Sequence, residues 1–557
     1  MGEIEAKKLA HFVGPKSPNI EVPDKTYVEI ILDELAENET GALYTEIPSK
    51  RQVTNGELRA ASISLGDAIF AQFDYQKGDV ACICSYNIPE FVMALYGSTI
   101  AGLTVMLCNA LYSYYEMNHQ INDSNSKLLF IPGDKVFIQK AIKACEGTNV
   151  NRIVLLTEVD DQKYLDEVCV SNPQLKICKL VDFCGNKNAE IPKLIWDWKK
   201  DTAILPYSSG TTGTAKGVVM KHSSMRAYIK AFIIYNQIMA QYARPTYFTV
   251  PPMFHIYGFV VTAMMAPFSG GHALMQKRFN FTQMLECVAE YKASRLFLLP
   301  AIVVQMAKDP ATKQYDLTYV KYILCGTAPL PKEQLKTLLE SLNKDSPPLF
   351  SQAYGMTEAG GTSMPPDAPL EFVLSGSVGQ VSMDGEAKVV DLETLQTVPV
   401  NTEGEIWLKS PTSMHSYLHR DKETADTLVG GGWVRTGDIG YFNEEGYLWI
   451  TDRLKELVKY KGYQVPPAEL EDLLLTHPAI VDAAVAGKPD EDAGELPTAF
   501  VVLGKDKTVS ETEVMLYVKE RVAPYKQLKG GVYFMENLPR NATGKLLRRK
   551  LMDLVSK

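Results

Sequence analysis

The sequence predicts an α/β protein with a large N-terminal domain of wound parallel sheets, a small β-barrel-like part and a small α+β C-terminal domain. Short apolar runs alternate with longer amphipathic segments early in the chain, which is typical of parallel strands connected by helices. Between residues 378 and 408 the pattern changes to short strands separated by turns, as in a small barrel or an antiparallel sheet. After residue 452 a basic segment introduces a further set of strands and helices.

The apolar runs of the first part are predicted to be buried strands, and the amphipathic segments between them are predicted to be helices. The same rhythm continues from residue 246 to residue 325, and residues 449–451 are expected to close a hairpin after the turn at 443–446. The strands are expected at 80–84, 105–107, 128–131 and 153–156, and the helices at 89–101 and 135–144.

A basic segment, 452-DRLKELVKYKGYQVPPAEL-470, marks a boundary between two domains. Its double proline precedes an apolar helical stripe, and proline is well tolerated at the first position of a helix. Strand-like runs at 482–486 and 498–502 and a helix at 511–522 follow. The expected division is a first domain at residues 1–451, a connection at 452–456 and a second domain at 457–557.

Composition and charge restrict the function. Hydrophobic residues make up 46% of the chain and charged residues 22%, which is ordinary for a globular protein. The formal net charge of −9 disfavours nucleic-acid binding, which requires a basic face. The most apolar runs, at 259–268 and 296–306, are too short to cross a bilayer, so no membrane span is expected.

The nine cysteines are spread thinly and are expected to be reduced thiols, which indicates a cytoplasmic protein. The N-terminal segment has no apolar stretch of the kind that secretory signals carry. The last residues, Val-Ser-Lys, fall one leucine short of the Ser-Lys-Leu peroxisomal address, so a peroxisomal location has no complete signal to support it. The sequence leaves the oligomeric state open, and a monomer is compatible with it.

The segment 207-YSSGTTGTAKGVVM-220 is a polar, glycine-rich loop between apolar flanks. It departs from the Walker A pattern, because alanine stands at the second glycine position and Gly217 replaces the hydroxyl that binds Mg²⁺. Glycines nevertheless allow backbone N–H groups to converge on an anion, so the loop is predicted to hold phosphate. The alternative is a surface linker, which usually has polar flanks. The residues expected to hold phosphate are Ser208, Ser209, Gly210, Thr211, Thr212, Gly213 and Lys216.

This loop resembles the phosphate loop of adenylate-forming enzymes, a superfamily that includes acyl-CoA synthetases, 4-coumarate–CoA ligases and beetle luciferases. Further motifs follow in the order typical of that superfamily, and the resemblance covers nearly the whole chain. They are 254-FHIYG-258, 326-GTAPLP-331, 354-YGMTE-358, 436-TGD-438, the segment 452–465 and 539-PRNATGK-545. The resemblance implies an enzyme that uses ATP, Mg²⁺ and coenzyme A (CoA) and acts on a small-molecule carboxylic acid.

The implied reaction has two steps. The carboxylate attacks the α-phosphate of ATP and releases pyrophosphate, and the thiol of CoA then displaces AMP. The first step brings two anions together, so it needs positive charge and hydrogen-bond donors aimed at the phosphates. By resemblance, Lys545 bridges the carboxylate and the α-phosphate, Thr357 binds the α-phosphate, and Glu358 is the metal ligand.

The resemblance also assigns residues to the rest of the nucleotide. Asp438 accepts both ribose hydroxyls, Arg453 reaches the same sugar, and Tyr354 stacks on the adenine. Ala353 departs from the glycine that many relatives carry, and its methyl group is expected to narrow the cleft slightly. The other residues expected to contact the nucleotide are Gly326, Thr327, Ala328, Pro329, Gln352, Ala353, Gly355 and Thr357.

For the second step the resemblance places an interdomain hinge at Lys455, within residues 452–456, and makes the C-terminal domain mobile. After adenylation this domain is expected to rotate, so that Lys545 leaves the site. The alternative interpretation is that the lysines of this segment are a run of solvent-exposed charges with no role in the reaction. The residues expected to enter are Lys459 and Gln464, which contact the adenylate or AMP, and Lys461 and Gly462, which line the path of the thiol.

The acid is expected to bind beside the FHIYG motif, with His255 forming the wall near the carboxylate; a structural histidine at a strand end is the alternative. Relatives that use hydroxycinnamates commonly carry asparagine and lysine where this chain has Val260 and Leu324, so the pocket lacks polar partners for a phenol. A medium- or long-chain fatty acid or an apolar aryl acid is therefore expected. The residues predicted to contact it are His255, Tyr257, Gly258, Val260, Leu324 and Gly326.

Four alternatives remain open from the sequence: a 4-coumarate–CoA ligase proper, a luciferase-type oxygenase, an adenylating enzyme that loads a carrier protein, and a non-catalytic binding protein of the same fold. No carrier domain with a phosphopantetheine serine follows in this chain, which disfavours the third. Lys216, Glu358 and Lys545 are all present, which disfavours the fourth.

Overall fold

The structure is a computed structural model that describes residues 8–208, 215–239, 244–328, 330, 332–342, 347–365, 368–454, 456–460, 463–465, 467–490, 493–522, 524–540 and 546–555. The strands are β1 (His11–Val13), β2 (Ala42–Ile47), β3 (Gln52–Thr54), β4 (Val80–Ser85), β5 (Thr104–Asn109), β6 (Ser126–Ile131), β7 (Arg152–Leu155), β8 (Lys176–Lys179), β9 (Thr202–Ser208), β10 (Lys216–Lys221), β11 (Thr246–Thr249), β12 (His272–Gln276), β13 (Arg295–Leu298), β14 (Tyr322–Gly326), β15 (Leu349–Met356), β16 (Ala359–Ser363), β17 (Gln380–Val381), β18 (Glu386–Val390), β19 (Gly404–Lys409), β20 (Ser416–Tyr417), β21 (Leu428–Val429), β22 (Trp433–Phe442), β23 (Leu448–Arg453), β24 (Val458–Tyr460), β25 (Tyr463–Val465), β26 (Ile480–Asp490), β27 (Gly494–Leu503) and β28 (Val532–Phe534).

The α-helices lie between these strands, mostly as connections from one strand to the next. They are α1 (Tyr27–Ala36), α2 (Asn55–Gln72), α3 (Pro89–Ile100), α4 (Tyr114–Ser124), α5 (Lys135–Cys145), α6 (Gln162–Ser171), α7 (His222–Met239), α8 (Ile256–Gly258), α9 (Ala266–Phe268), α10 (Phe281–Glu290), α11 (Pro300–Lys308), α12 (Lys332–Leu342), α13 (Leu370–Val373), α14 (Asp421–Thr427), α15 (Pro467–Leu475), α16 (Glu511–Lys519) and α17 (Arg548–Val555).

Two large, mostly parallel sheets form the body of the protein. The first has eight strands in the order β20-β10-β9-β5-β4-β6-β7-β8, and the second has nine in the order β17-β16-β15-β14-β13-β11-β12-β2-β3. The pairs from β9 to β8 and from β15 to β2 are parallel, and the remaining pairs are antiparallel. The predicted wound parallel sheets are therefore confirmed.

Helices pack between these sheets and on their outer faces. Helix α3 is buried along its whole length and, with α1 and α2, joins the inner faces of both sheets in one core. Helices α4–α6 cover the outer face of the first sheet, and α10–α12 cover that of the second. Because the central strands are buried on both faces, their sequences are continuous apolar runs and do not alternate with polar residues.

A third, antiparallel sheet of six strands corresponds to the predicted barrel-like part. Its order is β1-β18-β19-β22-β21, with β23 also paired to β22. Within the described ranges the end strands β1 and β21 do not pair with each other, so this part is an open sheet and no closed barrel forms.

The C-terminal residues form the expected small α+β unit. Strands β25-β24-β27-β26 make an antiparallel sheet, and β28 adds to β27 in parallel. Residues from α15, α16 and the sheet share a separate core that includes Val485, Val501 and Val514. The domain limits at 451 and 457 stay a prediction.

The most apolar run of the sequence lies in the core. Residues 259–268 form a π-helix at Phe259–Met265 followed by α9, and nearly all of their side chains are buried. In the described part of the chain, none of the helices combines the length and the apolar character needed to span a bilayer.

Candidate active site

A cleft of about 2280 Å³ lies at the carboxyl ends of β9, β14 and β15, which is where sheets of this kind usually bind ligands. Its opposite wall comes from the C-terminal unit, through Gly487, Glu495 and residues 546–548. The predicted site residues that line this cleft are Ser208, Lys216, His255, Tyr257, Val260, Leu324, Gly326, Thr327, Ala353, Tyr354, Gly355, Thr357, Glu358, Asp438 and Arg453.

Some predicted residues are described but do not line the cleft. Gln352 is buried, Lys459 is exposed on β24, and Ala328 follows the end of β14. Gly258 packs against the backbone, because a Cβ there would lie 2.2 Å from the carbonyl oxygen of Pro252. Outside the described residues lie Ser209, Gly210, Thr211, Thr212, Gly213, Pro329, Lys455, Lys461, Gly462 and Lys545, together with the side chain of Gln464.

Asp438 is the centre of a polar cluster in the cleft wall. Its Oδ1 lies 2.7 Å from Nε of Arg453, and its Oδ2 accepts a hydrogen bond from the Tyr354 hydroxyl at 2.7 Å. Burial raises the pKa of Tyr354 well above its usual range, so the phenol remains a hydrogen-bond donor. The structure therefore brings together the three side chains that the sequence assigned to ribose and adenine.

A register shift in the β22–β23 hairpin creates this cluster. Gly440 pairs with Ile450, and the register shifts by one residue before Asp438, which pairs with Arg453. In a regular antiparallel pair, Asp438 lies two residues from Gly440 and its partner would lie two residues from Ile450. That partner would be Asp452. The irregularity therefore replaces a contact between like charges with an ion pair.

Glu405, which is not among the predicted site residues, anchors the turn that carries Asp438. Its Oε2 accepts hydrogen bonds from Nε and Nη2 of Arg435 at 3.1 and 2.9 Å and from Nε1 of Trp407 at 2.9 Å. Its Oε1 accepts the backbone N–H of Gly437 at 3.2 Å. A single glutamate within a strand carries no motif, so only the buried contacts identify its role.

Glu358 and Lys216 both contact Tyr417, a second residue outside the predicted site. The Tyr417 hydroxyl donates to Oε1 of Glu358 at 2.8 Å, and Nζ of Lys216 lies 4.8 Å from the centre of the same ring. Burial raises the pKa of Tyr417 above its usual range, so this phenol is also a donor. The contact places the end of the glycine-rich loop beside the carboxylate assigned to the metal.

The environment of Glu358 fits Mg²⁺. The residue is 6% exposed and lines the cleft beside Thr357. Mg²⁺ is usually held by one or two carboxylates together with substrate phosphates, so one buried carboxylate near Lys216, a residue predicted to hold phosphate, is a suitable donor. In the ranges that the structure describes, no group of three or more His, Cys, Asp and Glu side chains could hold a metal.

The turn after β14 brings backbone close to the cleft. Gly326 pairs with Ala353 on β15, and a Cβ at Gly326 would lie 2.9 Å from the carbonyl oxygen of Ala353. Thr327 follows with a φ of 84°, a conformation that costs energy for a residue with a side chain. The close approach explains why the motif begins with glycine, and it places Ala353 in the cleft wall as expected.

The wall expected to hold the acid is mainly apolar. The Tyr257 hydroxyl donates to the carbonyl oxygen of Leu324 at 2.9 Å, so this polar group is already paired within the wall. Val260 and Leu324 line the same cleft. Nδ1 of His255 accepts the Tyr257 N–H at 3.2 Å, and burial lowers the pKa of His255 to about 4. The imidazole is therefore neutral at physiological pH. It caps α8 and also lines the cleft.

Arg548, which is also outside the predicted site, links the C-terminal unit to the connection beside the cleft. Its Nη2 lies 2.9 Å from Oε1 of Glu471, and its Nε lies 3.3 Å from Oε2 of Glu456. Burial raises the pKa of Glu471 to about 7 and that of Asp452 to about 6. One arginine thus faces three carboxyl groups where the two parts of the chain meet.

Comparisons with known proteins identify the family of the chain. A family model described as AMP-binding enzyme matches residues 35–418, and one described as AMP-binding enzyme C-terminal domain matches residues 469–545. The probable CoA ligase CCL5 of Humulus lupulus is 34% identical, over 92% of this chain and 90% of its own length. The peroxisomal OPC-8:0-CoA ligase 1 of Arabidopsis thaliana is also 34% identical, over 92% of this chain and 90% of its own length.

A solved structure with the same fold carries an adenylate. The o-succinylbenzoate CoA synthetase of Bacillus subtilis, in complex with its acyl-adenylate intermediate, has a TM-score of 0.75 and is 25% identical, covering 95% of this chain and 98% of that chain. The fold and the cleft define an adenylate-forming enzyme, as the motifs predicted. The chain belongs to the AMP-binding enzyme family, and the expected class, an AMP-forming acid–thiol ligase, is confirmed.

Proposed function

We propose that this enzyme joins a small carboxylic acid to CoA, with ATP converted to AMP and pyrophosphate. The observation that carries the proposal is a single cleft in which an apolar acid wall, the Asp438 cluster and the Glu358–Tyr417–Lys216 contact lie together. Relatives named as CoA ligases support the same reaction.

In the first step, an oxygen of the acid attacks the α-phosphorus of ATP, and the bond from that phosphorus to pyrophosphate breaks. Lys545 is assigned the neutralisation of the carboxylate and α-phosphate, and Thr357 is assigned a hydrogen bond to the α-phosphate. The loop at 208–216 holds the β- and γ-phosphates. Mg²⁺ held by Glu358 and the phosphates would neutralise charge on the leaving pyrophosphate.

In the second step, the CoA sulfur attacks the acyl carbon, and the bond from that carbon to the AMP oxygen breaks. The proposed domains are an N-terminal domain at 1–451 and a mobile C-terminal domain at 457–557, connected by a hinge at 452–456. Rotation about Lys455 removes Lys545 and brings the face of Lys459 and Gln464 to the adenylate, with Lys461 and Gly462 along the thiol path. Residues 546–548, which follow Lys545 in the chain, line the cleft, and this supports an arrangement suited to the first step.

The acid is proposed to be a medium- or long-chain fatty acid or an apolar aryl acid. Val260 and Leu324 offer no polar group to a phenol, and the Tyr257 hydroxyl is paired with the chain itself. An apolar chain gains about 0.8 kcal/mol per buried methylene group. A phenol hydroxyl without a partner costs about 1–3 kcal/mol on burial.

A substrate screen tests the proposal. The purified protein is incubated with ATP, Mg²⁺ and CoA, and pyrophosphate release and thioester formation are measured for fatty, aryl and hydroxycinnamic acids. Turnover that needs acid, ATP and CoA together is expected, with fatty acids ahead of 4-coumarate. Lys545→Ala is expected to lower the adenylation rate by about a hundredfold or more, whereas Lys505→Ala, on an exposed turn, leaves it unchanged.

Two results would contradict this assignment. Absence of acid-dependent pyrophosphate release from every acid would contradict the proposed reaction. A much higher kcat/KM for 4-coumarate than for any fatty acid would leave the reaction in place and contradict the apolar acid class.

A further inference from the structure

The acid arm is the part of the cleft lined by Gly326, Leu324 and Tyr322 on β14, Phe297 on β13 and Tyr235 on α7. Alternate residues of a strand point to the same face, so the arm follows β14 away from the turn at Gly326 and Thr327. Gly326 and Tyr322 are four residues apart, which corresponds to about 13 Å of strand. The arm therefore begins with apolar side chains and ends at tyrosines.

Arg295 lies behind this end, paired with Tyr322 on the neighbouring strand. It is 3% exposed, and its Nη1 donates to the phenol oxygens of Tyr235 at 3.3 Å and Tyr247 at 3.1 Å. Its guanidinium carbon lies 5.3 and 5.5 Å from the centres of those two rings. Among the described residues no carboxylate forms an ion pair with Arg295, so the buried charge is met by phenols.

The hydrogen bonds around Tyr247 are complete. Its hydroxyl accepts from Arg295 and lies 2.7 Å from Oγ of Ser269, which in turn donates to the carbonyl oxygen of Met265 at 2.7 Å. Because the Ser269 hydrogen is used by Met265, the Tyr247 hydroxyl donates to Ser269. Tyr247 therefore has no hydrogen left for a ligand.

Tyr235 differs from Tyr247 in this respect. Its phenol oxygen accepts from Arg295, and its ring lines the cleft 6.4 Å from the ring of Tyr322. Its own hydroxyl hydrogen has no acceptor among the hydrogen bonds that the described residues make with it. The donor is strengthened by the positive charge behind it, since charge-assisted networks in a low dielectric are stronger than neutral pairs.

A buried guanidinium without an anion carries a desolvation cost that phenols offset only in part. A ligand oxygen at the end of the acid arm would supply the missing negative potential. Such an oxygen would accept from the Tyr235 hydroxyl and stand close to Arg295, while the apolar middle of the arm would contact methylene groups.

We propose that the acid of this enzyme carries a second oxygen acceptor, a ketone or a second carboxylate, at the end remote from the carboxylate that is activated. The inference rests on the proposed acid–CoA ligation and refines its substrate class to long acids that are apolar in the middle and oxygenated at the far end. Tyr235 and Arg295 are the residues that select this group.

Three matched acids test it: decanoic acid, decanedioic acid, and the oxodecanoic acid whose ketone adjoins the terminal methyl group. The wild-type kcat/KM for at least one oxygenated acid is expected to exceed that for decanoic acid by about tenfold or more. The oxygenated acid with the higher kcat/KM shows whether the acceptor is a carboxylate or a ketone. Tyr235→Phe, which removes only the hydroxyl, is expected to abolish this preference by raising KM for the oxygenated acid, with KM for ATP unchanged.

Arg295→Met, which nearly keeps the side-chain volume and removes the charge, is also expected to reduce the preference for the oxygenated acid. Tyr228→Phe is the matched control, because Tyr228 lines the same cleft from α7 but its hydroxyl faces Thr412, so the preference stays at the wild-type ratio. If decanoic acid is used as well as both analogues, or if Tyr235→Phe slows all three acids equally, the inference is wrong. Failure of every acid to release pyrophosphate would overturn the proposed function together with it.

Discussion

Asp438 and Glu405 are two buried carboxylates with different tasks in the cleft wall. Asp438 presents its oxygens in the cleft, where Arg453 and Tyr354 hold them. Glu405 lies behind it and holds the N–H of Gly437, one residue before Asp438. Since a buried carboxylate is costly unless it is paired, both depend on their arginine partners.

Asp438→Asn is expected to raise KM for ATP by about tenfold, because the amide loses the charge that attracts Arg453 and one of the two acceptors offered to the ribose. Steady-state kinetics with ATP varied at saturating acid and CoA measure the effect. Asp506→Asn is the control, since Asp506 lies on an exposed turn with a φ of 61°, which asparagine tolerates. An unchanged KM for ATP with a lowered thermal midpoint would show that Asp438 has a structural role only.

The β22–β23 hairpin shows what an element adds to its residues. The turn at 443–446 and the strand after it were predicted from the sequence, and β23 extends from Leu448 to Arg453. The shift that pairs Asp438 with Arg453 could not be predicted, because a pattern of alternating residues does not reveal an irregularity in register. The chemistry of the cluster depends on that one residue of offset.

Glu405→Ala is expected to destabilise the protein by about 3–5 kcal/mol, because it leaves the Arg435 charge and two further donors without their buried acceptor. Glu386→Ala is the matched control in the same sheet. Its ion pair with Lys409, 2.8 Å long, is partly exposed, so the expected loss is below about 1 kcal/mol. Urea unfolding of both variants measures the difference, and equal losses would contradict the anchoring role of Glu405.

At the scale of the whole molecule, the C-terminal unit completes the cleft and Arg548 holds it there. Arg548 contacts Glu471 of its own unit and Glu456 of the connection. Within the unit, the N–H of Leu547 also donates to the carbonyl oxygen of Pro539. The contact between Arg548 and Glu456 favours one position of the unit, and the proposed second step requires this contact to break.

Lys455→Pro is expected to leave pyrophosphate release nearly unchanged and to lower thioester formation by about a hundredfold, because proline restricts the backbone rotation assigned to this residue. The two half-reactions are measured separately, the first without CoA and the second from preformed adenylate. Lys455→Ala is the control, since it removes the side chain and keeps the backbone freedom. Equal loss in both half-reactions would contradict the hinge.

Much of the fold was predictable because each element has a local signal. The runs at 80–84, 128–131 and 153–156 correspond to β4, β6 and β7 with ends that differ by at most two residues. The barrel-like part was predicted less well, since whether a sheet closes depends on pairing between strands far apart in the chain. The π-helix at Phe259–Met265 was also missed, because its apolar run has no periodicity that separates it from an α-helix.

The sequence by itself determined the family and the α/β class, and it predicted the residues that contact the nucleotide, because these depend on residue identity and on order along the chain. Tertiary structure alone decided that Asp438 faces Arg453, that Tyr417 joins Glu358 to Lys216, and that Arg295 lies uncompensated by any described carboxylate behind the acid arm. These contacts join residues that are remote in sequence. They depend on strand register and side-chain burial, which no local sequence pattern encodes.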